Sequence, residues 1–249
     1  MAPGSLVLGA WIPSTSAARK GLLKQPPYTN YTLDFGTSLA CPHVAGVAAL
    51  LKAAHPKWSA AAIRSAIMTT ATPLDNTLHP IRDSNSPPTN ASPLAMGSGH
   101  INPNGALDPG LIYDASPQDY DPFTITAHHP DLNYPSFIAL YDDDDDDDDD
   151  SKGLMVRKFR RTLTNVAATS AIYKVNITTT EDSIVSVWPE ILDFEKEYDV
   201  RSYNVTIKYE RKEKGAVSFG DLVWVQQNGT HTIRSPIVVS PPVALASPE

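Results

Sequence analysis

The sequence predicts two kinds of structure in one chain, an α/β portion in front and an all-β sandwich behind it. Three observations carry this. Residues 36–72 are rich in Ala, Leu and Val interspersed with small residues, and their apolar positions recur at a helical period. Beyond about residue 130 the period becomes two, as in half-buried strands. Asn228-Gly229, set between two apolar stretches, is a two-residue hairpin signal. The expected division is 1–120 for the first portion and 121–249 for the second.

Ala40, Val44, Val47, Ala48 and Leu51 fall on one face of a helix, while Leu39, Gly46 and Leu50 lie on others. A helix apolar nearly all round is expected to be buried on most sides. Ala45, Gly46, Ala48 and Ala49 would let neighbours come close to its backbone. Pro42 fits only in a first turn, so the helix should begin near Thr37–Ser38, and His55-Pro56 should end it. A second helix opens at Ser59, a good N-cap, and continues through AAAIRSAIMTT.

From Pro73 to about Pro130 the chain is punctuated by Pro, Gly, Asn and Asp, as loops are. Strands follow. Tyr173, Val175 and Ile177 alternate with polar residues, as do Tyr203, Val205, Ile207 and Tyr209, and later Ile233 and Ile237. Evenly spaced strands without a helix indicate an antiparallel sandwich of about 110 residues. Tyr173, Tyr203, Tyr209 and Trp224 sit at strand period and are expected in its core. Between LNYPSFIALY and VRKFRRTL lies an unbroken run, Asp142 to Asp150. Nine like charges repel and cannot join a core, which makes 142–150 a disordered loop by expectation.

The 249 residues carry 20 basic and 28 acidic side chains, a net charge of −8. Setting the aspartate run aside leaves 20 basic against 19 acidic, so the acidity is local. No concentrated basic patch suggests nucleic acid. No uncharged apolar run reaches the ~18 residues of a membrane span. A single cysteine, Cys41, rules out a disulfide framework and reads as a small buried hydrophobe. The N-terminal residues lack the positive region and cleavage zone of a signal peptide. Five N-x-[ST] sequons, at Asn30, Asn90, Asn176, Asn204 and Asn228, nevertheless suggest a secreted parent protein.

The segment with most chemical content runs from Asp34 to Leu51. It puts Ser38 at the start of the apolar helix, behind a glycine that permits a sharp turn. The hydroxyl there lies beside unpaired N–H groups and the positive end of the helix dipole, donors of the kind an acyl oxyanion needs. The alternative is that Ser38 or Thr37 simply caps the helix. His43 follows Ser38 by five residues, about 140° around the helix, so the two should point apart. Cys41 and His43, two apart, do not face each other either. His55, His79, His100, the pair His128-His129, and His231 show no metal-ligand spacing. The aspartate run lacks the alternating ligands and central glycine of a calcium loop. No cofactor and no metal is expected.

GTSLACPHVAGVAALL resembles the segment around the nucleophilic serine of the subtilisin-like serine proteases, the subtilases. HPKWSAAAIRSAIMTTA and GSGHINPNGALDPGLIYD resemble the plant branch of that family. The stretch from DLNYPSFIAL through RTLTNV to RSPIVVSP is similar to that branch's fibronectin type III-like domain. The resemblance implies that residues 1–120 are the C-terminal part of a doubly wound catalytic domain and 121–249 a fibronectin type III-like sandwich. It also implies that Ser38 is the nucleophile of a serine endopeptidase acting on polypeptides, secreted to the plant apoplast in its intact form. In the plant branch a longer connecting element precedes LNYPS; here DASPQDYDPFTITAHHP stands in its place.

Family members carry their triad in the order Asp, His, Ser, with an oxyanion asparagine also ahead of the serine. Residues 1–37 contain no histidine; Asp34 is their only acid and Asn30 their only asparagine, the latter in a sequon. The expectation is therefore a chain that begins inside the catalytic domain and has little proteolytic activity without the missing N-terminal part. A competing expectation is a non-catalytic product whose stable part is the sandwich, an interaction module able to fold without residues 1–115.

Overall fold

In the computed structural model the described residues are 1–12, 30–84, 87–120, 132–140, 154–178, 183–210 and 217–240. They fall into two compact units, Met1–Leu50 and Leu51–Glu249. The expected disorder of the aspartate run and the pair His128-His129 lie outside the described residues, as does most of the connecting stretch.

In the first unit, β1 (Val7–Ala10) and β2 (Tyr31–Asp34) pair antiparallel, with Val7 opposite Asp34 and Ala10 opposite Tyr31. Two residues later the chain enters α1 (Thr37–Ala54), with Pro42 in its second turn. That proline lies beyond the first-turn position where a missing N–H costs nothing. The expected burial of this helix is corrected: only Leu51 is buried, and Cys41 is exposed. The pattern is apolar enough for a core, but Leu39, Ala40, Val44, Val47 and Ala48 are only half-buried and the other faces are exposed. By length and composition alone, α1 is long and apolar enough to cross a membrane, a test that core helices of soluble proteins also pass. No parallel sheet is present among the described residues of this portion.

The second unit opens with the last turn of α1 and then α2 (Ala60–Thr69), capped as expected by Ser59, whose hydroxyl accepts from the amide of Ala62 at 2.9 Å. Two short helices, α3 (Pro93–Met96) and α4 (Pro103–Leu107), punctuate the following loops. The rest is a sandwich. Its four-stranded sheet runs β3 (Leu111–Ile112), β5 (Leu154–Asn165), β9 (Val200–Glu210), β7 (Ser183–Trp188). The five-stranded sheet runs β4 (Phe137–Leu140), β11 (Thr232–Ser240), β10 (Ser218–Gln226), β6 (Ala171–Thr178), β8 (Ile191–Phe194). All pairs are antiparallel except β4 with β11. The aspartate run thus connects a strand of one sheet to a strand of the other.

Between the sheets lie the residues that the alternation marked: Tyr173, Tyr203, Val205, Ile207, Tyr209 and Trp224 are all at most 1% exposed. Tyr203 meets Trp224 edge to face at 5.1 Å, and Phe137 meets Phe159 likewise at 5.5 Å. Arg161, on the inward face of β5, is also buried. Its guanidinium lies over Phe137 and Phe159 and donates to the carbonyls of Tyr134, Ser136 and Arg160. Strand β11 is buried on both faces from Ser235 to Ser240, because α2 and α3 pack on the side that the sandwich core leaves free. A strand so covered reads as a nearly continuous apolar run.

The β10–β11 turn differs from the two-residue hairpin that Asn228-Gly229 predicts. The amide of Gln226 bonds the carbonyl of His231, leaving four residues in the loop. Gln226 explains the widening. Its side chain tucks beneath Gly229 and accepts from the ring of His231 at 2.7 Å, filling the space a tighter turn would close.

Candidate active site

The local structure around Ser38 starts with Gly36. Its φ of +154° favours glycine, and its amide donates to the carbonyl of Gly4 at 2.7 Å. Gly4 is itself tightly placed, since a Cβ there would lie 2.9 Å from the Gly36 carbonyl oxygen. The Gly36 carbonyl in turn accepts from the amides of Leu39 and Ala40, at 3.0 and 3.4 Å, and so starts the helix. Ahead of the turn, Asp34 Oδ1 accepts from the amide of Phe35 at 2.8 Å.

Ser38 is the second residue of α1 and is exposed. Its backbone N–H belongs to the first turn, where no acceptor exists inside the helix. The hydroxyl hydrogen-bonds nothing among the described residues, so it is not consumed as a helix cap. Gly36 provides the first backbone acceptor instead. A hydroxyl beside orphan amides and the positive helix end can attack an acyl carbon if something takes its proton.

Among the described residues of this unit nothing beside it does that. The His43 ring donates from Nδ1 to the Leu39 carbonyl at 2.8 Å, one turn back along its own helix. Other described histidines are held elsewhere. His55 stacks on Trp58 at 3.8 Å and reaches the carbonyl of Leu107, His79 contacts Thr77, and His100 bonds the carbonyl of Ile101. His231 sits between Gln226 and Asp108, 3.0 Å from the latter. Among the described residues no group of three or more His, Cys, Asp or Glu is placed to hold a metal ion.

Sequence periodicity did not reveal a buried polar junction in the second unit. The amide of Tyr113 donates to the Ser65 hydroxyl of α2 at 2.8 Å, while its phenol lies 2.6 Å from that of Tyr203 and 2.9 Å from Ser235 Oγ. All four residues are at most 1% exposed. Burial pushes the phenol pKa values of Tyr113 and Tyr203 up. Nearby, Arg234 pairs with Asp221 at 2.9 Å and donates to the carbonyl of Ser98. These contacts tie α2 and the loops around α3 and α4 to the sandwich. The only sequence signal for them is a polar residue, Ser235, at an inward position of β11.

A family model described as the subtilase family matches residues 1–99, and one described as a fibronectin type-III domain matches residues 131–239. The subtilisin-like protease SBT3 of Solanum lycopersicum is 46% identical over 97% of this chain and 34% of its own length. SBT1.3 of Arabidopsis thaliana is 36% identical over 96% of this chain and 32% of its length, and SBT1.6 of the same plant 38% over 96% and 34%. The chain thus spans about a third of the length of these curated relatives. A subtilase segment followed by a fibronectin type-III domain, alike over nearly all 249 residues to plant subtilisin-like proteases, makes the chain a member of the subtilase family.

Proposed function

We propose that the chain is the nucleophile-bearing C-terminal portion of a secreted serine endopeptidase. The supporting observation is the exposed, unbonded hydroxyl of Ser38 at the start of α1. In this reading Ser38 Oγ loses its proton to a histidine and attacks the scissile carbonyl of a polypeptide. Its own N–H helps hold the oxyanion, and water then hydrolyses the acyl-enzyme. The histidine, its carboxylate and the oxyanion asparagine come from polypeptide other than these 249 residues, the part of the catalytic domain that would also cover α1. In subtilisin, loss of the histidine alone lowers kcat by about 10⁶-fold. The chain alone should therefore be nearly inert. Co-expression with an upstream subtilase segment should yield peptide hydrolysis that Ser38→Ala abolishes; hydrolysis that survives Ser38→Ala would defeat the assignment.

The five sequon asparagines, all exposed, support passage through a secretory route to the cell exterior. A second reading is favoured by the contrast between a largely exposed α1 and a full sandwich core: the chain acts as a non-catalytic interaction module. Limited proteolysis separates the two. A resistant fragment beginning near Leu51, with residues 36–50 removed, favours the module, and protection of residues 36–50 favours the protease portion.

A further inference from the structure

The outward face of the four-stranded sheet holds an aromatic side chain that neither reading uses. Alternation turns Tyr203, Val205, Ile207 and Tyr209 of β9 inward and leaves Ser202, Asn204, Thr206 and Lys208 outward. On β7, Val187 points in, while Ser186 and Trp188 point out. Trp188 is 74% exposed, more than any other aromatic among the described residues. The register places it directly opposite Asn204, with Arg160 of β5 on the other side. Asn204, Val205 and Thr206 form a sequon, and the Asn204 carboxamide makes no hydrogen bond among the described residues. Facing residues on neighbouring strands have Cβ atoms about 4.5–5.5 Å apart, with side chains standing side by side off the sheet.

We infer that Asn204 carries an N-linked glycan whose first N-acetylglucosamine packs against the indole of Trp188. This rests on the extracellular reading, since the modifying machinery is in the secretory pathway. The carboxamide nitrogen forms a bond to the anomeric carbon of a lipid-pyrophosphate-linked oligosaccharide. The bond from that carbon to the pyrophosphate oxygen breaks, its electron pair leaving with the lipid pyrophosphate, and the nitrogen's proton passes to solvent. The nascent strand is modified before it folds; folding then sets the sugar's C–H face against the electron-rich face of the indole, shielding an apolar surface that would otherwise stay wet. The other two sandwich sequons lack this partner. Asn176 faces Val223, and Asn228 sits at a hairpin tip with φ +57°.

Glycopeptide mass spectrometry on the full chain, from its native tissue and from a secretory host, tests occupancy. Glycan at Asn204 is expected in both. A bare Asn204 in the host, with other sequons filled, overturns this inference and leaves secretion standing. Glycan at Asn204 in the host with all five sequons bare on the native protein overturns the extracellular reading, and the inference with it. A thermal double-mutant cycle tests the packing. Asn204→Gln should lower Tm by about 2–4 °C in the wild-type background and in Trp188→Phe, but not in Trp188→Ala. Equal losses in all three backgrounds would overturn the stacking.

Discussion

Replacing Tyr113 by Phe removes one oxygen and takes a hydrogen-bond partner from two others. The phenol of Tyr113 sits 2.6 Å from that of Tyr203 and 2.9 Å from the Ser235 hydroxyl, in a site closed to water. An orphaned buried donor or acceptor costs about 1–3 kcal/mol, more than the net worth of the bond that was lost. For a chain of this size that becomes a fall in Tm of roughly 2–12 °C. The triple variant Tyr113→Phe/Tyr203→Phe/Ser235→Ala removes all three hydroxyls together and should regain most of the loss. Urea unfolding followed by tryptophan fluorescence reads the transition, because Trp224 lies buried against Tyr203. A neutral single variant, or a triple variant as costly as the three single losses summed, would refute the view that these hydroxyls act as one satisfied unit.

Three further outcomes are expected. Folding raises the phenol pKa values of Tyr113, Tyr173 and Tyr203, chiefly by burial. The native state then keeps protons that the unfolded chain releases near pH 10, so the contribution is intact below that value and is lost as pH rises above it. Each phenol contributes a slope of about 1.4 kcal/mol per pH unit there; the share of the absorbance at 295 nm that belongs to these three phenols should appear only with unfolding, and its reversible appearance near pH 10 in the folded protein would contradict this. Gly99→Ala should be strongly destabilising, by about 3 kcal/mol or more, since φ is +116° and a Cβ would lie within bonding-like range of the Thr72 carbonyl; a Tm unchanged within a degree would contradict it. Ser38→Ala should leave urea stability within about 0.5 kcal/mol of wild type, because the side chain is exposed and unbonded. A larger loss would mean that the hydroxyl is a structural cap.

The sandwich was readable because each of its strands keeps one dry face. Tyr203 to Tyr209 and Tyr173 alternate cleanly, and all are buried where the period puts them. β11 was only half readable. Ile233 and Ile237 marked its inner face, but Val238 is buried by helices outside the sandwich, a second cover that no local period encodes. The start of α2 was legible from Ser59 because a cap is a local bond. α1 shows the opposite case: its composition states what it needs as neighbours, not what the described chain provides, and so predicted burial where Cys41 and Leu50 are exposed. Asn228-Gly229 gave the right hairpin and the wrong length, since the side chain of Gln226 sets the loop's width. For Ser38, the preceding glycine and the helix start were legible because both are local; a proton acceptor distant in sequence would leave no local mark.

Fluorophosphonate modification of Ser38, quantified at that residue by peptide mapping, bears most directly on the central claim. Labelling of the chain alone should be no faster than at other exposed serines, and rapid and stoichiometric once the upstream part of a subtilase catalytic domain is joined to it. Prompt, complete labelling of the isolated 249 residues at Ser38 would contradict the claim that its proton acceptor lies elsewhere, and an inert Ser38 in the completed, folded domain would contradict its role as nucleophile.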